Sequence, residues 1–309
     1  MKKRNIGRES SICGGIRLII VPGPASRYLG LRVAELLGVR TVEVESKFFP
    51  DGESYVRFKE DPKGADVVIV QSTYPPQDTH LLQLLLLSDT ALRLGAETVT
   101  VVVPYLAYSR QDRDFRPYEP ISIRTVLKLI KSCGVSRLIT LNIHEPSVLK
   151  NSGLKAENLS AVPNLTEYLV KLGLSGAVAL APDEKAVKMA MELAETLRGG
   201  YGRFAKKRDR LTGEINITSE LQVAVEGKDI VIVDDIISSG STTAAAVREL
   251  KARGARRVYA ACVHPILAPG AYEKIKEVGA EAVIGTDTIP SKVSLVTVAP
   301  TIAQALRII

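Results

Sequence analysis

Apolar residues in this 309-residue chain gather into short, β-rich runs with longer helix-like stretches between them. Runs at residues 17–21, 67–71, 99–103 and 138–141 predict one series of strands. A second series is predicted at 178–180, 230–233, 258–263, 282–284 and 295–298. Helices are predicted over 26–37, 79–94, 121–131, 184–197, 243–253 and 271–277, with a last one over 302–309. Gly95, Gly134 and Gly254 stand where helices should stop before strands, as left-handed caps require. Strands alternating with helices argue for an α/β fold of parallel sheets covered on both faces. The polar segment 151–163 reads as a loop, and the domain boundary falls there. Two similar halves follow, one over 16–160 and the other over 161–298, with a terminal helical segment over 299–309. Residues 1–15, basic and rich in Gly and Ser, read as a loose arm. The segment 79–85 is apolar nearly all round and reads as core or subunit contact.

Composition narrows the class. With 46% apolar and 24% charged residues the chain has ample core, and its net charge of +7 suits anionic substrates. Nucleic acid is an unlikely partner by composition, because aromatics are 5% and Trp is absent, which leaves little surface for base stacking. Cys13, Cys133 and Cys262 are far apart, without metal or redox spacing, and read as thiols in a reducing compartment. The richest apolar run, 81–87, is interrupted by Gln83 and is too short to span a bilayer. No signal peptide is visible, so the expectation is a cytoplasmic protein.

The strongest chemical signal is Val233-Asp-Asp-Ile-Ile-Ser-Ser-Gly-Ser-Thr-Thr243. It reads as a strand end, a small-residue turn over Ser238, Ser239, Gly240, Ser241 and Thr242, and a helix starting at Thr243. Free N–H groups and hydroxyls at such a turn can surround a phosphate, and the helix dipole favours its charge. Asp234 and Asp235 cannot bind that phosphate themselves, but they suit ribose hydroxyls or a magnesium-bound sugar.

This segment resembles the phosphoribosyl-binding loop of type I phosphoribosyltransferase folds, and the chain from about Arg17 onward resembles the ribose-phosphate pyrophosphokinase family. The resemblance implies two tandem type I phosphoribosyltransferase-like domains, each a mainly parallel sheet flanked by helices. It also implies that the final helix returns to the first half. Phe48-Phe-Pro-Asp-Gly-Glu53, by itself a surface hairpin, is similar to a family motif that contacts adenine from a neighbouring subunit, through Phe49, Asp51 and Glu53. Tyr108-Ser-Arg-Gln-Asp-Arg-Asp114 implies nucleotide contacts from Arg110 and Gln111, with Arg113 supporting them. In Asn142-Ile-His144 the family carries Asp-Leu-His, which places His144 near magnesium and the ATP phosphates. Asn142 departs from that pattern, and an amide attracts magnesium less than a carboxylate does. Pro182-Asp183 implies a second magnesium-positioning residue in Asp183; by itself Asp183 reads as a helix N-cap, and Glu184 and Lys185 stand where relatives have small residues. The basic run 203–210 resembles a mobile catalytic loop, with Lys206 and Arg208 as its catalytic cations and Lys207 between them. His80 and His264 read as structural.

The implied reaction moves pyrophosphate from Mg-ATP to the anomeric hydroxyl of ribose 5-phosphate, giving phosphoribosyl pyrophosphate and AMP, in a homo-oligomer whose adenine site is shared. A phosphoribosyltransferase would share 233–243 but would leave 48–53 and 110–113 unexplained. A non-catalytic regulatory subunit is favoured by Asn142 and opposed by Lys206, Arg208 and Asp183. RNA binding is a further alternative, which a strong dependence on salt would reveal. Segment 115–118 and the end of the chain differ from the family's allosteric region, so that regulation is not carried over.

Overall fold

The computed structural model describes residues 18–208, 215–218 and 223–307, with backbone alone at 205–208 and 215–218. In chain order the first part runs β1 (Leu18–Pro22), α1 (Arg27–Leu37), β2 (Val44–Phe48), β3 (Ser54–Phe58), β4 (Asp66–Val70), α2 (Gln77–Arg93) and β5 (Thr98–Val103). It continues with α3 (Ser122–Ser132), β6 (Arg137–Leu141), β7 (Lys155–Leu159) and α4 (Val162–Lys171). Then come β8 (Val178–Ala181), α5 (Val187–Leu197), β9 (Tyr201–Arg203), β10 (Ala205–Arg208), β11 (Ile215–Thr218) and β12 (Asp229–Ile237). The chain closes with α6 (Ser241–Ala252), β13 (Arg257–Pro265), α7 (Ala271–Glu277), β14 (Ala282–Thr286), β15 (Ser294–Val296) and α8 (Ala299–Leu306).

Two parallel sheets organise these elements, one ordered β1-β4-β5-β6-β7 and the other β15-β14-β13-β12-β8-β9. Their central strands are β-branched on both faces because both faces are buried, as in Val67–Val70 and Ile230–Val233. One core lies between the sheets: Ile20, Val70 and Ile139 of the first meet Ala179, Val231 and Val263 of the second through Leu165, Leu193 and Ile302. The outer faces carry separate cores, around Leu84, Leu87, Ile123 and Leu127 on the first sheet and Val247, Leu250 and Ile275 on the second. Helix α8 lies against α1, where Arg307 donates to the Leu36 carbonyl at 2.6 Å, and Arg137 at the start of β6 donates to the Ala305 carbonyl at 3.2 Å. The halves are further tied by Ser72, whose hydroxyl donates to the Thr288 carbonyl at 2.6 Å.

Several boundaries differ from expectation. The polar segment 151–163 is not a loop: it contains edge strand β7, paired to β6 from Arg137↔Lys155 to Leu141↔Leu159, and the start of α4. An edge strand that is half exposed needs few apolar residues, so composition hid it. Helix α5 starts at Val187 rather than at 184, because Asp183 folds the chain into a turn first, accepting the N–H groups of Lys185 and Ala186 at 3.1 and 3.4 Å. Asp183 therefore caps that turn, and Ala186 holds the N-cap position of the helix. Strand β12 continues through both aspartates to Ile237, and α6 begins at Ser241, earlier than Thr243. The last helix is shifted to 299–306. In α2 the burial is one-sided: Leu84 and Leu87 are buried while Leu82 and Leu86 are exposed.

Candidate active site

The carboxyl ends of the parallel strands face a cleft between the halves, the usual ligand position in such sheets. At the end of β12 the chain turns sharply into α6 through Gly240, whose φ of 70° is left-handed. A Cβ there would lie 2.8 Å from the Ala271 carbonyl, so both conformation and space demand glycine. The turn leaves the first N–H groups of α6 at the bottom of a cavity of about 130 Å³, lined by Ser238, Ser239, Gly240, Ser241, Thr242 and Thr243. Lys274 of α7 donates to the Ser239 carbonyl at 3.3 Å and the Ser241 hydroxyl at 3.2 Å, adding positive charge behind the turn. Donors, a helix dipole and a cation together make an anion site.

The opposite wall of the same cavity is acidic: Asp183, Asp234 and Asp235 line it together with His144, Lys185 and Arg110. His144, after β6, crosses from the first half so that its Nδ1 lies 2.7 Å from Asp235 Oδ2. Its other ring nitrogen, Nε2, is 2.7 Å from Lys185 Nζ. Burial, reinforced by the negative Asp235 beside it, pushes the Asp234 carboxyl well above the ordinary carboxylate range. Burial opposes the charge on Asp235 as well, but its hydrogen bonds, first of all that with His144, overcome it and hold that carboxyl below its ordinary range. Two adjacent acids thus carry different protonation tendencies, suited to hydroxyl hydrogen bonds or to a divalent cation.

Of the residues singled out in the sequence, Arg110, His144, Asp183, Asp234, Asp235 and 238–242 converge on this cavity. Gln111 lies beside them in the chain but turns its amide to Glu119 Oε2 at 3.3 Å, and the Arg113 guanidinium lies 5.3 Å from the Phe115 ring centroid. Phe49, Asp51 and Glu53 occupy the exposed tip of the β2–β3 hairpin, away from this lining; Phe49 meets Tyr55 edge-on at 5.6 Å, beside Lys47. The backbone of Lys206 and Arg208 runs in β10, opposite Ile217 and Ile215 of β11, while their side chains lie outside what is described. Among the described residues no group of three or more His, Cys, Asp or Glu is preassembled to hold a metal ion.

Sequence reasoning missed three features. Lys185 stands out by sequence only as a bulky residue where relatives have small ones, and Lys274 not at all; the roles of both are marked by their partners in space. Asn142 has a φ of 38°, a region where asparagine is enriched, and its Oδ1 accepts the Ala161 N–H at 2.7 Å just before α4. Its carboxamide is therefore spent on the turn into α4, and it lines a neighbouring cavity, not the one floored by the phosphate-type loop.

Residues 18–134 match the family described as the N-terminal domain of ribose phosphate pyrophosphokinase, and residues 164–295 match the phosphoribosyl transferase domain. The chain is 39% identical to the ribose-phosphate pyrophosphokinase of Sulfurisphaera tokodaii, covering 94% of this chain and 100% of the relative. It is 41% identical to that of Methanopyrus kandleri, covering 94% and 99%. The crystal structure of phosphoribosylpyrophosphate synthetase from Mycobacterium smegmatis superposes with a TM-score of 0.84 at 29% identity, covering 94% of this chain and 98% of that one. With its two parallel sheets and its type I phosphoribosyltransferase-like second half, this chain belongs to the ribose-phosphate pyrophosphokinase family.

Proposed function

We infer that this chain is a ribose-phosphate diphosphokinase, transferring the diphosphate of ATP to the anomeric hydroxyl of ribose 5-phosphate and releasing AMP. The observation that carries this reading is the cavity itself. An anion floor at Ser238–Thr242 faces an acidic wall at Asp234–Asp235, with His144 and Arg110 arriving from the other half. In this reading the 5-phosphate takes the floor, and the ribose hydroxyls take the carboxylates. The anomeric oxygen then attacks the β-phosphorus of ATP in line, with AMP as leaving group. Such a transfer needs alignment and neutralised charge more than a covalent nucleophile.

Arg110 is assigned to phosphate, where its planar fork can hold two oxygens. Gln111 is assigned to the nucleotide and Arg113 to its support. Phe49, Asp51 and Glu53, exposed on their hairpin, are assigned to the adenine of a neighbouring subunit, which makes the working unit a homo-oligomer. Lys206 and Arg208 are assigned to the transferring phosphoryl group from their sequence motif alone. Magnesium fits the donor set: it is held by one or two carboxylates plus waters and phosphates rather than by an all-protein cage. Asp183 would hold it, with His144 beside it once Nε2 is released from Lys185. The metal supplies charge neutralisation along the triphosphate. Among the described residues no helix is long and apolar enough to cross a membrane, Cys133 and Cys262 are free thiols, and the cytoplasm is the assigned compartment.

Phosphorus NMR of a reaction containing ATP, ribose 5-phosphate and magnesium tests the chemistry. Both the β and γ phosphorus atoms should appear on the sugar, with one AMP for each sugar diphosphate formed. Formation of ADP, or of a nucleotide from phosphoribosyl pyrophosphate and a nucleobase, overturns the assignment.

A further inference from the structure

Lys185 holds a position that an ordinary surface lysine does not need. Asp183 accepts its N–H at 3.1 Å, and the resulting turn sets it at the rim of the cleft. The preceding Glu184 is engaged on the other side, in an ion pair with Arg203 at the end of β9. Lys185 reaches the opposite way, across the boundary between the halves, to within 2.7 Å of His144 Nε2. It lines both the phosphate-loop cavity and the adjoining one of about 300 Å³, and so stands where the two meet.

Charge decides what that position is for. The phosphate-loop cavity presents three carboxylates, Asp183, Asp234 and Asp235, against the cationic side chains of Arg110 and Lys185 among its described lining. Carboxylates repel phosphate, so a polyphosphate entering from the ATP side needs those two cations. A neutral imidazole nitrogen is a weaker partner for an ammonium group than a charged phosphate oxygen, because charge-assisted hydrogen bonds are roughly twice as strong as neutral ones. Arrival of phosphate therefore favours an exchange in which Nζ leaves His144 and takes the anion. Its three donors on a flexible stem make this a small movement.

We propose that Lys185 is a substrate-contacting cation that leaves His144 to hold an oxygen of the diphosphate group. This rests on the proposed function for the identity of the anion, and no bond is formed or broken at Nζ. Inorganic pyrophosphate, titrated calorimetrically into the full-length protein with divalent ions removed, is the direct probe. Lys185→Ala should weaken its binding about tenfold or more, and Lys185→Arg should stay within about threefold of wild type. In turnover, Lys185→Ala should raise KM for Mg-ATP and leave KM for ribose 5-phosphate unchanged.

Equal pyrophosphate affinity in wild type and Lys185→Ala overturns the proposal, as does absence of binding to wild type at millimolar concentration. Equal loss in the Ala and Arg variants, accompanied by a lower Tm, marks a structural role and also overturns it. If wild type binds pyrophosphate through Lys185 but makes no product, the diphosphokinase reading fails and the assignment of Lys185 stands.

Discussion

His264 is buried in the seam between the halves, and its removal has a consequence that depends on pH. It sits on β13 with Nε2 3.1 Å from the Leu141 carbonyl at the end of β6, so that nitrogen carries the proton and donates. Nδ1 faces the Thr288 hydroxyl at 3.0 Å, and the ring meets Tyr105 edge-on at 5.1 Å. Burial pushes the imidazole down to about 4. In the unfolded chain the same group titrates near its ordinary value of about 6.5. Between those values the unfolded chain takes up a proton that the fold refuses, so stability is full above pH ~6.5 and declines as pH falls towards ~4. Linkage over that interval gives a loss of about 2 kcal/mol between pH ~7.5 and pH ~5 from this group alone. His264→Gln keeps an amide donor for the Leu141 carbonyl but cannot titrate. Urea unfolding of wild type and variant at one protomer concentration, at both pH values, isolates the effect. The stability advantage of wild type should shrink by about 2 kcal/mol at the lower pH. An advantage that stays constant to within about 0.5 kcal/mol would falsify the claim that the fold holds this imidazole neutral.

Gly240→Ala places a side chain at a φ of 70° and a Cβ 2.8 Å from the Ala271 carbonyl. It should cost about 1–3 kcal/mol of stability and raise KM for ribose 5-phosphate about tenfold or more, read from thermal melts and initial rates. Asn142→Asp should leave the rate of AMP release within about threefold of wild type, because the Oδ1 that accepts the Ala161 N–H at 2.7 Å is retained. A large gain from that substitution would restore the regulatory-subunit reading.

Much of the sheet architecture was readable because central parallel strands are buried on both faces and must be continuously apolar. Val67–Val70 and Val99–Val103 have no other plausible use. The elements that escaped are those for which burial is partial. Lys155–Leu159 is a polar edge strand, and Val44–Phe48 is apolar only at its two ends and lies on a small hairpin. Helix α4 was legible in principle: Val162, Leu165, Thr166 and Leu169 fall on one buried face with Pro163 in the first turn, but the polar residues before them mask where the pattern begins. The phosphate-type loop was legible because its chemistry is local, a run of small residues between a strand and a helix. The Lys185–His144–Asp235 chain was not, because its three members are brought together only when the halves pack. The same applies to Lys274, whose place behind the loop depends on α7 packing beside α6.

The rate of AMP release from Mg-ATP, measured with and without ribose 5-phosphate, bears on the central claim most directly. The account predicts AMP in step with phosphoribosyl pyrophosphate when the sugar phosphate is present, and almost none when it is left out. AMP release that is indifferent to ribose 5-phosphate, or no consumption of either substrate, would contradict it.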